Sequence, residues 1–201
     1  MRRLFVASLL LWAPPAWAAL VEGTNVGFVT VAPTTDPAAT ALTNSDNEAR
    51  AGKFTAPADA VKVREIGWWC NNATEAANFE VGLYTDNGAG ATSVAVTLLS
   101  GVSRTNAKGT TAGWKSSSVD IDITPGTIYW IAFQLDNTAT TTETDGQTGG
   151  GRRGRDGAGT ATLATTWTEA GAADSLVAVY AVYTTSTTTL NDATINAGVL
   201  Q

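Results

Sequence analysis

The chain of 201 residues contains no histidine and only one cysteine, Cys70. Without histidine, Ser-His-Asp and Cys-His nucleophilic catalysis are both excluded. The usual zinc and iron sites go with them, because one cysteine cannot replace the missing imidazoles. Oxygen-ligated calcium is the metal chemistry left open. No internal disulfide can form. Cys70 falls on the same side of an extended chain as Ile66 and Trp68, which reads as a small buried apolar residue. The sharper reading is a disulfide between chains. Charge is scarce, at 15% of residues, and its balance is acidic, at −6. That balance suits neither nucleic acid nor an anionic membrane surface. No stretch carries a 3.6-residue period of helical length, and no internal repeat is present.

The one apolar run near the start is short. Arg2 and Arg3 precede Leu4 to Trp12, Pro14 and Pro15 break the run, and Ala16-Trp17-Ala18 follows as an A-x-A cleavage site. This pattern predicts an export signal over residues 1–18. The run is too short for the roughly 20 residues of a membrane-spanning helix. The expected location is secreted, extracellular or periplasmic. Once processed, the chain loses both arginines and becomes more acidic. About 180 residues remain, enough for one domain without disulfide staples.

What is present is β-strand patterning. Glu65 to Asn87, EIGWWCNNATEAANFEVGLYTDN, reads as two strands joined by a turn at Asn71-Asn72-Ala73. Phe79, Val81 and Leu83 alternate with Glu80, Gly82 and Tyr84, the period-2 signature of a half-buried strand. Further strands are predicted at 25–31, 51–55, 61–70, 94–99, 114–123, 127–135, 162–167 and 176–185. The alternation of Val61 and Val63 changes parity at Ile66, which predicts a bulge near Arg64-Glu65. Residues 136–160 read as a long Thr/Gly-rich insertion. About eight or nine short strands with turn signals between them argue a β-sandwich. The expected organisation is a signal at 1–18, an N-terminal strand and polar loop at 19–49, the sandwich at 50–185 and a tail at 186–201.

The order EIGWWCNN, NFEVGLYTDNG, AGWKSSSVDIDITPGTIYWIAFQLDN and VAVYAVYTT resembles a recurrent jelly-roll module of secreted bacterial and phage-associated proteins. There, a GIYSDN-like strand precedes a GW strand and a PGTxYWLA strand. The likeness covers roughly residues 50–185. It implies a single jelly-roll-type antiparallel β-sandwich serving as an accessory, carbohydrate-binding-like or adhesive surface module. Its motifs are core and turn residues, so it transfers no catalytic residue.

Candidate binding residues follow from parity. With Ile66, Trp68 and Cys70 inside, Trp69 points out. With Tyr129, Ile131, Phe133 and Leu135 inside, Trp130 points out together with Gln134. Trp69 and Trp130 are the expected aromatic platform for sugar stacking, set against the common fate of tryptophan in a core. The segment GGGRRGRDG, 149–157, reads as a flexible loop presenting Arg152, Arg153 and Arg155 to an acidic glycan, a carboxylate or a phosphate. The alternative there is a solvated loop. It lacks the pattern of a nucleotide P-loop. Asp86, Asn87 and Asp136, with Asn137, Glu143 and Asp145, lie in turns after strands and could hold a structural calcium ion or simply form the turns. Asp120 and Asp122 share an outward face. They read as a solvated or charge-protected strand rather than a glycosidase pair.

The sequence thus predicts an exported, non-enzymatic module with no required cofactor, binding glycan or a cell-surface polymer. The alternative is a structural subunit of an extracellular fibre, matrix or particle surface. That reading draws on the low charge, the Thr/Ala/Gly-rich surface, and self-association through an edge strand or the tail.

Overall fold

A computed structural model describes residues 19–44, 47–71, 77–136 and 142–186. The expected export signal and all but the first residue of the expected tail lie outside these residues. Among the described residues twelve strands form two sheets. They are β1 (Gly27–Val29), β2 (Thr40–Asn44), β3 (Ala49–Thr55), β4 (Ala60–Cys70), β5 (Asn78–Asp86) and β6 (Ala95–Leu98). Then come β7 (Ser103–Ala107), β8 (Gly113–Asp122), β9 (Ile128–Asp136), β10 (Thr142–Asp156), β11 (Ala173–Val177) and β12 (Val179–Thr185). A four-stranded sheet runs β1-β12-β4-β8. An eight-stranded sheet runs β11-β10-β3-β9-β5-β6, with β2 added to β10 and β7 to β5. The fold is an all-β sandwich. Its pairing is antiparallel except for β1, which lies parallel to β12.

The sandwich core follows the alternation. Ile66, Trp68 and Cys70 of β4 face Phe79, Val81 and Leu83 of β5 and Ile131, Phe133 and Leu135 of β9. Trp68 stacks on Phe133, with centroids 4.5 Å apart and planes 1° from parallel, and meets Phe79 edge-on at 6.1 Å. The predicted hairpin of β4 and β5 is not a hairpin. The two strands alternate as expected but lie in opposite sheets, so their apolar faces meet across the core. The bulge falls where the parity change placed it, as a register shift between Val63 and Glu65 against β8. It lets Val63 and Ile66 both point inward.

The Gly/Thr-rich insertion is mostly strand. Fifteen residues of β10 pair with β2 and β3 on one side and with β11 on the other. Gly149 and Gly150, with φ of 76° and 75°, take up the register shifts against β11 that side chains would resist. Residues 162–167, expected as a strand, form no regular strand. They belong instead to a strap over the outer face of the eight-stranded sheet. Leu163 and Trp167 of this strap close a second core with Ala49, Ala51, Tyr84, Ala95, Trp130 and Ala132. Buried polar groups pin it down. Glu80 accepts hydrogen bonds from the Leu163 N–H (2.7 Å) and from Arg104. Asp156 accepts from the Ala158 and Thr168 N–H groups, both at 3.0 Å. Tyr84 donates to the Ala164 carbonyl at 2.7 Å. Each latch satisfies a strap group that the sheet ladder cannot reach.

Candidate functional site

The expected aromatic platform is absent. Trp130 does point away from the sandwich core, as parity requires, but it is 0% exposed. The strap covers it, and its Nε1 donates to Asp86 Oδ1 at 2.8 Å. Gln134, on the same face, is 2% exposed and donates to the Thr160 carbonyl of the strap. Trp69 lies on the outer face of the four-stranded sheet, yet is 7% exposed. It meets Trp114 edge-on at 5.5 Å, and Trp114 in turn meets Tyr180. Trp114 donates to the Thr35 carbonyl, so the loop before β2 covers this cluster. Both outer faces carry their own cover, and outward parity did not mean exposure.

The calcium set does not converge either. Asp136 pairs with Asn78 at one end of β5, and Asp86 is the last residue of that strand. Eight residues of extended chain separate these ends by about 26 Å. Asn87 accepts from the Ala89 (3.1 Å) and Val94 (3.2 Å) N–H groups, which is turn chemistry. Asp145 is buried and accepts from the Ala39 N–H at 3.2 Å. Asn137 and the Glu143 side chain lie outside the described residues. Among the described residues no three carboxylate or thiol groups gather to hold a metal. Asp120 and Asp122 are exposed on one face, as the alternation predicts, and Lys62 bridges them at 2.9 and 2.7 Å. The Lys62 hydrogen bond holds the Asp120 carboxyl below its usual range. An Asp120 carboxyl held in its charged form is the opposite of the raised acid that glycoside hydrolysis needs.

The three arginines sit in β10 instead of a loop, and the strand separates them by parity. Arg152 points to the strap side, donates to the Ser93 carbonyl at 2.7 Å and pairs with Asp174 at 3.5 Å. Arg153 and Arg155 point to the opposite face, beside Gly52 and Arg50 of β3. Arg50 and Arg155 are direct cross-strand neighbours, a like-charge placement that ordinarily destabilises a sheet. Together Arg50, Arg153 and Arg155 line an open cleft of about 290 Å³, closed on one side by Gly171, Ala172 and Ala173. The four-stranded sheet contributes nothing to its lining.

Among the described residues, one carboxylate forms ion pairs with these guanidiniums. Glu48 pairs with Arg50 at 2.9 Å and with Arg155 at 3.5 Å. Arg153 has no ion pair among the described residues, and its buried Nη1 has no hydrogen-bond acceptor there. Burial lowers the Arg153 pKa. Burial likewise lowers that of Arg50, with Glu48 opposing the shift and Arg153 and Arg155 adding to it. Guanidinium stays protonated in proteins nonetheless. The cleft is therefore a fixed concentration of positive charge with donors to spare. Sequence reasoning found Arg153 and Arg155 but missed Arg50 and Glu48. Their arrival opposite β10 is a matter of register between strands about a hundred residues apart.

Comparison with family models, with curated proteins and with solved structures found no match for this chain.

Proposed function

We propose that the protein is an exported, non-enzymatic binding domain that takes a carboxylate-bearing glycan in the Arg50, Arg153 and Arg155 cleft. The observation that carries this reading is the imbalance at the cleft among the described residues: three guanidiniums, one paired carboxylate, and a buried Arg153 N–H without an acceptor. A planar carboxylate matches the guanidinium fork with two parallel charge-assisted hydrogen bonds. At about 290 Å³ the cleft lies at the small end of ligand sites, which suits a single acidic sugar ring. The chain as a whole is acidic, at −6, so a dense polyanion is not favoured from a distance. Screening confines that repulsion to about 8–10 Å at ordinary salt, and the cleft then acts on its nearest anion. The A-x-A signal and the likeness to secreted jelly-roll modules support an extracellular setting.

The test is calorimetric titration of the folded protein with uronic-acid oligosaccharides and with the same oligosaccharides after carboxyl reduction. Binding should require the carboxylate. Arg153→Ala should weaken it by at least about tenfold, the loss of one charge-assisted contact. Arg152→Ala, on the other face, should leave it unchanged. Equal binding of the reduced sugar, or indifference to Arg153→Ala, would overturn the assignment. Sulfated oligosaccharides in a parallel arm separate carboxylate from sulfate recognition. A folded protein that binds none of them would direct attention to the structural-subunit reading.

A further inference from the structure

We infer that Glu48 is a built-in competitor for the cleft, occupying with its own carboxylate part of the place a ligand carboxylate takes. This rests on the reading of the cleft as an anion site, and sharpens it. Glu48 precedes β3 directly and is held rather than free. The Asn47 N–H donates to the Leu135 carbonyl at 3.1 Å, with Asn47 in the left-handed region at φ 57°, and the Glu48 side chain is only 11% exposed. Its two contacts are unequal. The Arg50 pair, at 2.9 Å, is a close ion pair without hydrogen-bond geometry, since the buried Glu48 Oε1 it involves has no hydrogen-bond donor. The Arg155 contact is the hydrogen-bonded one, but at 3.5 Å it sits at the outer limit for such a bond and is readily given up.

An incoming carboxylate therefore takes Arg153, which has no ion pair among the described residues, and Arg155, which Glu48 holds loosely. Glu48 stays on Arg50. The arrangement also answers the cross-strand repulsion between Arg50 and Arg155, which a carboxylate placed between them offsets in the empty cleft. The consequence is selectivity. A lone small anion must compete with a tethered carboxylate already in place, whereas an acidic sugar adds ring contacts along Gly171, Ala172 and Ala173. Glu48 lowers the affinity for every anion and leaves the sugar as the distinguishing term.

The experiment compares wild type, Glu48→Gln and Arg153→Ala by calorimetry with trigalacturonate and with acetate, over a range of salt. Thermal melts confirm that each variant is folded. Glu48→Gln keeps the shape and removes the charge. It should bind trigalacturonate about tenfold tighter, the effect of deleting a unit charge about 5–6 Å from the ligand at an effective dielectric of about 40–50. Its salt dependence should steepen, and acetate binding should rise to a measurable level. A purely structural Glu48 would move none of these in that direction. If wild type binds through Arg153 while Glu48→Gln binds equally or more weakly, the cleft stands and the competitor role falls. If neither wild type nor Glu48→Gln binds trigalacturonate, the anion-site reading itself falls, and the competitor with it.

Discussion

Replacing Trp130 by alanine tests whether the outer face of the eight-stranded sheet is a second core or a surface. Trp130 is 0% exposed beneath Leu163 and Trp167. A buried tryptophan removes about 200 Å² from water. At about 25 cal/mol per Å² that is worth about 5 kcal/mol. Measured losses for buried Phe or Trp replaced by Ala run at about 3–5 kcal/mol, since neighbours relax only in part. The substitution also removes the indole donor to Asp86 Oδ1, leaving Asp86 its hydrogen bonds from Ser93 and Gly88. A loss of about 4 kcal/mol is expected. A domain of this size has a urea m-value of about 2 kcal/mol/M, so the unfolding midpoint should fall by about 2 M. Circular dichroism is the readout of choice, because the substitution removes a fluorophore. The Leu163 amide, bound to Glu80, should lose hydrogen-exchange protection in the same variant. A solvent-facing tryptophan would cost under about 0.5 kcal/mol. A midpoint shift below about 0.3 M would refute the second core.

Gly67→Ala should destabilise by about 1–3 kcal/mol in urea titration, because its Cβ would run into the Tyr180 ring, which Glu65 holds by a 2.5 Å hydrogen bond. Burial alone would raise the Asp86 pKa, but hydrogen bonds from Trp130, Ser93 and Gly88 outweigh it and keep the value below 3.8. The stability Asp86 contributes is thus present above that value and lost as pH falls through the lower folded one, so Asp86→Asn should flatten the decline in melting temperature below about pH 4. Cys70 is buried, and burial raises its thiol pKa. Native protein should leave a thiol reagent unreacted and run as a monomer on a non-reducing gel, with one thiol per chain appearing in denaturant.

Much of the fold was legible because alternation reports faces faithfully. The inward set of β9, the outward pair Asp120 and Asp122, and the bulge at Arg64-Glu65 all follow from period-2 reasoning applied to neighbouring residues. Alternation cannot say which sheet a strand joins, so β4 and β5 read as a hairpin when they face each other across the core. Nor can it say whether an outward face is covered. The cover over Trp130 is an irregular strap whose large apolar anchors are Leu163 and Trp167, and no periodic signal marks it. Strand β10 was hidden by composition, since glycine and aspartate score poorly as strand formers. The cleft was half visible for the same reason. Arg153 and Arg155 stand out as a basic run, whereas Arg50 and Glu48 become partners through a ladder the sequence does not announce.

Ala178 marks where β11 of one sheet becomes β12 of the other. Its N–H donates to Asp145 and its carbonyl accepts from Trp69. β12 then lies between β1 and β4, and among the described residues β1 has no other ladder partner. On a ribosome, β1 emerges among the first strands and its partner last. The four-stranded sheet is therefore closed by a strand made after every other described strand, and the nascent chain cannot complete this sheet early. Such late closure makes for slow folding, set by loop entropy over about 150 residues.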